Sequence, residues 1–201
     1  MILTKRFDEA FCLASELHRN QKRKNSDVPY LTHLMAVSSM VCENIETLCK
    51  DQNLAEDYVI TAMLHDAIED QGGLSSYEKV KEMFGQFIAD SIMLLSDCVP
   101  DGGIKPDKPT RNKVYREKLS IAPKEIVLIS CCDKIHNLRT MVSDYDLIGE
   151  KFWGKFSQSP ENTVKNYETL GEVYVKRLGN HRVIKMYREA LDALKEFTPT
   201  T

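Results

Sequence analysis

The feature that most constrains the fold is a polar cluster that follows directly on an apolar run. Residues 58–64 read Tyr-Val-Ile-Thr-Ala-Met-Leu, and residues 65–70 read His-Asp-Ala-Ile-Glu-Asp. Ionisable side chains so close to an apolar run are costly to bury unless something compensates them, and a divalent cation can compensate several at once. The sequence therefore predicts a buried helix that leads into a metal-binding or catalytic cluster.

Helical geometry refines this prediction for the four polar residues. At about 100° per residue, Asp66, Glu69 and Asp70 lie roughly 100°, 40° and 140° round the helix from His65. All four then fit on one side of a single helix. His65 and Asp66 could converge on one metal, while Glu69 and Asp70 could orient a water molecule. The alternative is a capping or surface cluster of acids beside a buried, hydrogen-bonded histidine.

Length and composition favour one ordinary globular domain spanning residues 1–201. The chain is 42% apolar and 28% charged, and its net charge of −3 gives no indication of nucleic-acid binding. No stretch is long and apolar enough for a membrane span, and the first residues lack the order of a signal peptide. The six cysteines form no Cys-x-x-Cys pair. We therefore expect reduced thiols, a cytoplasmic location and no membrane association, with the oligomeric state left open.

The apolar residues recur every three or four positions along most of the chain, which predicts an all-α fold. Residues 126–129 are continuously apolar, but no other stretch offers a strand partner, so we expect a buried helix there. Capping boxes at residues 53–56 and 75–78 predict two helix starts, the first for the helix that carries the central cluster as far as residue 71. Ser159 followed by Pro160 predicts another start.

Two cationic segments lie outside the predicted helices. Residues 99–110 hold three prolines and two glycines, which predicts a loop. This loop carries Lys105 and Lys108, with Arg111 just beyond it. It could be a lid, a phosphate-binding arm or a plain connector. The basic residues 22–24 could be a solvated charge run, or a clamp for an anion or a stacked base.

Candidate metal ligands lie on three separate predicted helices: His33, His65, Asp66 and Asp133. Nitrogen and oxygen ligands without thiolates suit Mn²⁺, Fe²⁺ or Zn²⁺. Such an ion acidifies a bound water molecule, and Glu69 and Asp70 would orient or deprotonate that water. The implied chemistry is metal-assisted hydrolysis of a phosphate ester or anhydride.

Four segments together resemble the HD-domain phosphohydrolases, and most closely the small RelA/SpoT-type alarmone hydrolases, which remove the 3′-pyrophosphate from (p)ppGpp. The segments are Arg23-Lys24 with Pro29-Tyr30-Leu-Thr-His33, then residues 65–70, 108–111 and 133–139. The resemblance covers the chain from about His18 to Tyr167 and implies a single HD-domain helical bundle.

The same resemblance implies roles for individual residues. It makes the four residues named above the ligands of one divalent metal ion, with Mn²⁺ as the expected metal, and it makes Glu69 and Asp70 the catalytic acids. It assigns substrate binding to these residues: Arg23, Lys24, Lys108, Arg111, Asn137 and Tyr167.

The chain departs from the usual family pattern at Asp27-Val28, Leu34 and Lys165-Asn166. These changes leave the metal ligands intact and concern the base pocket. One alternative is an HD-type phosphohydrolase for another nucleotide, such as a 5′-nucleotidase or a nucleotide-cofactor phosphatase, which would release orthophosphate rather than pyrophosphate. A non-catalytic nucleotide-binding module is another, although we would expect such a module to have lost a ligand or an acid.

Overall fold

The structure is a computed structural model that describes residues 1–24, 26–98, 106–156 and 158–198. It contains the following helices: α1 (Lys5–Leu17), α2 (Leu31–Cys42), α3 (Gln52–Met63), α4 (Ala67–Asp70), α5 (Leu74–Phe84), α6 (Gln86–Leu95), α7 (Lys108–Ile121), α8 (Lys124–Ile148), α9 (Pro160–Leu178) and α10 (Arg182–Glu196). Short 3₁₀ segments cover Ile45–Thr47 and Gly149–Lys155. The described ranges contain no β-strand, so the predicted all-α fold is confirmed. Within the same ranges no helix is long and apolar enough to cross a membrane.

The chain divides into two compact units, Met1–Ile129 and Ser130–Thr201. In the first unit α3 packs against α1, α2 and α6, and α5 packs against α6. Most of α3 is buried, including every residue from Tyr58 to Met63. Because α3 lies in the core, the polar residues that follow it begin at a buried helix end rather than on the surface.

In the second unit, α9 and α10 pack against each other. Gly171 permits a close approach, since a Cβ atom there would lie only 2.9 Å from the ring of Tyr187. The hydroxyl of Tyr187 donates to the backbone oxygen of Tyr167 at 2.6 Å. Helix α9 begins as predicted, with Ser159 as the N-cap and Pro160 as the first helical residue.

The prediction of one continuous helix through the central cluster is wrong. Helix α3 ends at Met63, residues 64–66 form a turn, and α4 begins at Ala67. The reason is local, because Nδ1 of His65 bonds to the backbone oxygen of Ala62 at 2.9 Å. A continuous helix would give that oxygen to the amide of Asp66 instead. His65 and Asp66 therefore lie at a corner between two helices.

The predicted capping box of α3 is also wrong. The N-cap is Asp51, whose carboxylate accepts from the amides of Asn53 and Leu54 at 2.9 Å each. Glu56, which is buried, accepts instead from the amide and hydroxyl of Thr4, before α1. The carboxylate of Glu56 therefore makes a tertiary contact with Thr4 instead of the local contact with residue 53 that a capping box requires.

Two further predicted boundaries are shifted. Helix α5 begins at Leu74, so Ser75 lies inside the helix and its hydroxyl donates to the oxygen of Gly72. Helix α7 begins at Lys108 because Asp107 caps it by accepting from the amide of Thr110. The last residues of the predicted loop are therefore helical. Residues 99–105 of the predicted loop, including Lys105, lie outside the described residues.

Candidate metal and acid site

Three atoms of metal-ligating types approach one another at the corner between α3 and α4. Oδ2 of Asp66 lies 2.9 Å from Nε2 of His65 and 3.8 Å from Nε2 of His33. The same oxygen accepts a hydrogen bond from the hydroxyl of Tyr30 at 2.7 Å. His33 and His65 are both buried. Residues from α2 and from the α3–α4 corner thus form one polar cluster inside the first unit.

The hydrogen bond of His65 to Ala62 indicates which ring nitrogen can bind a metal. A backbone oxygen only accepts, so Nδ1 of His65 must donate, and a neutral ring then has its lone pair on Nε2. That lone pair lies 2.9 Å from the carboxylate oxygen of Asp66. The two repel unless a proton or a metal ion lies with them. Metal-binding histidines commonly donate their other N–H to a backbone oxygen in this way, so the residues present fit a divalent ion.

Aromatic contacts surround this cluster. The ring of Tyr30 stacks on His18, with centroids 5.4 Å apart, and meets His33 edge-on at 5.3 Å. The guanidinium carbon of Arg23, a predicted substrate-binding residue, lies 5.6 Å from the centroid of Tyr30. Lys24 is exposed beside it. The basic segment is thereby located next to the candidate metal ligands, as its position before His33 in the sequence suggested.

Glu69 lies on α4 and accepts a hydrogen bond from the backbone amide of Asp97 at 2.9 Å. Burial and the nearby charge of Asp97 raise the pKa of Glu69 to about 7. Burial would raise the pKa of Asp97 as well, but its hydrogen bond with Glu69 and the cations Lys108 and Arg111 together hold that pKa below its usual value. The structure therefore places a carboxyl group that titrates near neutral pH beside a charged network.

Lys108 and Arg111 both contact Asp97. Nη1 of Arg111 bonds to both carboxylate oxygens of Asp97, at 2.7 and 2.8 Å, and Nζ of Lys108 lies 3.4 Å from Oδ2. Their predicted role in phosphate binding stays a prediction.

Asp70 is held by a different kind of partner. Nε2 of Gln21 donates to its Oδ2 at 2.7 Å. Oε1 of Gln21 is bonded by Nδ1 of His18 at 2.6 Å and accepts from the amide group of Gln71. Burial, and next the charge of Asp66, raise the pKa of Asp70. A network of neutral side chains thus orients this acid.

In the second unit, the buried Asp133 accepts hydrogen bonds from Lys134 Nζ at 2.5 Å and from Asn137 Nδ2 at 2.6 Å. Like His33 and His65, Asp133 is a buried side chain of a type that suits a metal ion. Tyr167, on α9, is half-buried. Its role and that of Asn137 stay predictions.

The sequence reasoning missed three residues of this region: His18, Gln21 and Asp97. Asp97 offered a signal, because it follows the apolar helix α6 much as the central cluster follows α3. Gln21 and His18 offered none, since their importance depends on contacts with Asp70 and Gln71, roughly fifty residues away.

Comparisons with known proteins agree with these features. The family model described as HD domain matches residues 10–147. The bifunctional (p)ppGpp synthase/hydrolase SpoT of Escherichia coli is 27% identical over 141 residues, which are 69% of this chain and 18% of that protein. The guanosine-3′,5′-bis(diphosphate) 3′-pyrophosphohydrolase of Haemophilus influenzae is 31% identical over 140 residues, 65% of this chain and 18% of that protein. The chain thus spans less than a fifth of the length of these relatives.

Two solved structures share the fold. One, described as a metazoan ortholog of SpoT that hydrolyses ppGpp, has a TM-score of 0.70 and 22% identity, covering 96% of this chain and 97% of that one. The other, a protein of Listeria monocytogenes, has a TM-score of 0.62 and 17% identity, covering 87% of this chain and 100% of that one.

Proposed function

Because this chain belongs to the HD domain family, we propose that it is a metal-dependent phosphohydrolase that releases the 3′-pyrophosphate of guanosine 3′,5′-bis(diphosphate). The observation that carries this proposal is the corner where His33 and His65 face the carboxylate of Asp66, one helical turn before Glu69 and Asp70. The names of the relatives, including (p)ppGpp hydrolases, support this choice of substrate.

His33, His65 and Asp66 would hold the metal, and we propose Asp133 as the fourth ligand and Mn²⁺ as the ion. When bound, a divalent ion supplies charge neutralisation for phosphate and makes water more acidic. The protein contributes the orientation of its ligands. Ala62 orients the ring of His65, and the hydroxyl of Tyr30 orients the carboxylate of Asp66.

Glu69 is the proposed proton-transfer residue. Its pKa of about 7 lets the carboxyl group accept a proton and release it again near neutral pH, as general acid–base catalysis requires. Asp70 is the proposed residue that orients the attacking water, because Gln21 holds its carboxylate in one direction.

Arg23, Lys24, Asn137 and Tyr167 are the proposed contacts to the nucleotide. Arg23 has the strongest structural support, since its guanidinium group lies near the ring of Tyr30, which itself contacts Asp66. A guanidinium plane can also lie on a purine face. This arrangement would bring the nucleoside beside the metal ligands.

The test is to incubate the Mn²⁺-loaded protein with equal concentrations of ppGpp, GMP and NADPH and to measure the product masses. We expect ppGpp to react fastest and intact pyrophosphate to be released. Faster reaction of GMP or NADPH, with orthophosphate as the product, would favour the alternative nucleotide phosphohydrolase. His65→Ala is the control for contaminating activity and should abolish turnover together with metal binding.

Arg23→Ala provides a second test of the substrate assignment. We expect a strongly raised KM with unchanged Mn²⁺ content, because Arg23 is not one of the proposed metal ligands and lies near the ring of Tyr30. Arg19→Ala is the matched control, since Arg19 is an exposed cation just after α1. An equal change in KM for both variants would contradict a specific role for Arg23.

A further inference from the structure

Asp97 connects a proposed catalytic acid to a helix that follows it in the chain. Its backbone amide donates to Oε2 of Glu69 at 2.9 Å, and its carboxylate receives two hydrogen bonds from Arg111 on α7. The side chains of Asp97 and Arg111 are each only 14% exposed. Asp97 therefore contacts Glu69 through its backbone amide and its side chain, and the same side chain contacts α7.

On the basis of the proposed function, we propose that Asp97 is a positioning residue for Glu69, and that Arg111 acts on the reaction by holding Asp97 rather than by binding phosphate. The amide of Asp97 aligns the carboxyl group of Glu69, and the contact of both Asp97 carboxylate oxygens with Nη1 of Arg111 prevents Asp97 from turning towards solvent.

The geometry favours this role for Arg111. Both oxygens of Asp97 are used in a paired contact with one guanidinium nitrogen, and charge-assisted hydrogen bonds of this kind are among the stronger ones. Nε of Arg111 also donates to the backbone oxygen of Pro106 at 3.2 Å, so two of its three guanidinium nitrogens are engaged. A phosphate that drew the guanidinium group away would leave the largely buried carboxylate of Asp97 without its closest cation. Lys108 contacts Asp97 less closely, because its Nζ lies 3.4 Å from Oδ2 of Asp97, and its side chain is 44% exposed.

A second contact from α7 supports the same segment. Nζ of Lys118 donates to the backbone oxygen of Ser96 at 3.1 Å. Residues 96 and 97 are therefore held to α7 at two points, one at the start of the helix and one near its end. These two contacts restrain the backbone of residues 96 and 97, so the amide of Asp97 keeps its position as a donor to Glu69.

A double-mutant cycle tests the proposal with the Mn²⁺-loaded protein. Asp97→Asn and Arg111→Gln should each lower kcat, by about 10-fold to 100-fold, since a displacement of about 1 Å can cost that much. KM should stay nearly unchanged. The double variant should be no worse than the poorer single variant, because both changes disrupt one contact. Lys113→Met is the control, since Lys113 is an exposed cation of α7 that lies near Glu117.

A phosphate-binding role for Arg111 predicts a different kinetic pattern. If Arg111 binds phosphate, Arg111→Gln raises KM while Asp97→Asn does not, and the two effects multiply in the double variant. Either finding would overturn the proposal. Arg111→Lys adds a check on geometry, because it keeps the charge but lacks the planar guanidinium group that contacts Asp97 and the backbone oxygen of Pro106 together, and it should recover only part of kcat.

Hydrogen exchange of the Asp97 amide gives a readout that needs no substrate. In the metal-free protein, Arg111→Gln should speed this exchange by about tenfold to a hundredfold, the factor expected on losing a hydrogen bond to a charged group. Lys113→Met should leave it unchanged. Unaltered exchange in Arg111→Gln would overturn the proposal even if turnover fell. A wild-type protein that hydrolyses no nucleotide would instead refute the proposed function, while the exchange result would still decide the contact.

Discussion

Glu69 and Asp70 are neighbours on one short helix, yet different kinds of groups contact their side chains. Glu69 accepts from the backbone of Asp97, whose carboxylate is paired with Arg111. Asp70 accepts from the neutral amide of Gln21. Burial raises the pKa of both acids. Glu69 thus lies beside an acid that is paired with a cation, whereas Asp70 is held by a chain of neutral side chains.

The hydrogen bonds that hold Asp70 depend on the orientation of the side-chain amide group of Gln21. Oε1 of Gln21 faces the donors of His18 and Gln71, so its NH₂ group must face Asp70. The imidazole Nδ1 of His18 must then carry the proton, and burial lowers the pKa of His18 and favours this neutral form. The direction of Asp70 is therefore determined by hydrogen-bond geometry with a neutral partner.

Replacing either acid should give the largest effect. Glu69→Gln and Asp70→Asn should each lower kcat by about 10²–10⁴-fold, the range of general acid–base roles, with Mn²⁺ binding retained. Turnover and metal content are measured together on each variant. Glu78→Gln, at an exposed site on α5, is the control. Wild-type rates for both variants at saturating Mn²⁺ would show that neither acid takes part.

Removing the amide that orients Asp70 should have a smaller effect. Gln21→Met keeps the length of the side chain but deletes the donor to Asp70, so we expect kcat to fall by about tenfold, the factor for one hydrogen bond of about 1.4 kcal/mol. Gln52→Met, at an exposed position at the start of α3, is the matched control. A change in KM with constant kcat would instead place Gln21 in substrate binding.

The pH dependence of stability should separate the two acids in the metal-free protein. The pKa of Glu69 is about 7 in the fold against 4.5 for an unperturbed group. Between these values the folded state retains a proton that the unfolded chain has lost, so the free energy of unfolding falls as pH rises. Glu69→Gln should remove this fall.

Urea unfolding of both proteins at about pH 4.5 and about pH 7.5 measures the difference, because these values bracket the window in which the folded and unfolded states bind different numbers of protons. The raised pKa of Asp70 causes a similar fall in the free energy of unfolding, which begins just above pH 3.8, the unperturbed value. Asp70→Asn should remove that part of the fall. A Glu69→Gln variant with the same pH profile as wild type would contradict the raised pKa.

Salt should produce the smallest difference. Raising the ionic strength from about 0.1 M to about 1 M shortens the screening length from roughly 10 Å to 3 Å. The destabilisation caused by Arg111→Gln should therefore shrink, because the wild-type ion pair is partly screened. The destabilisation caused by Gln21→Met should stay constant, because its partner network is neutral. The destabilisation is measured by urea unfolding. If it depends equally on salt in both variants, the contrast between an ionic contact near Glu69 and a neutral contact at Asp70 would be wrong.

Several features of the site were predictable because they depend on residues close in sequence. The apolar run before His65, the cluster of acids after it and the position of His33 near a helix start all appear in the structure. The helical wheel nevertheless failed for His65 and Asp66, since both lie in a turn. The wheel assumes uninterrupted backbone bonding, whereas the ring of His65 takes the oxygen of Ala62.

Local pattern by itself determined the helical class, the start of α9 at Ser159-Pro160 and the choice of residues that can ligate a metal. Tertiary structure alone decided which partners these residues have. Asp97 lies 28 positions after Glu69, and Gln21 lies 49 positions before Asp70. Burial and charge pairing depend on which groups meet in space, so no spacing rule along the chain could assign Arg111 to Asp97 or Gln21 to Asp70.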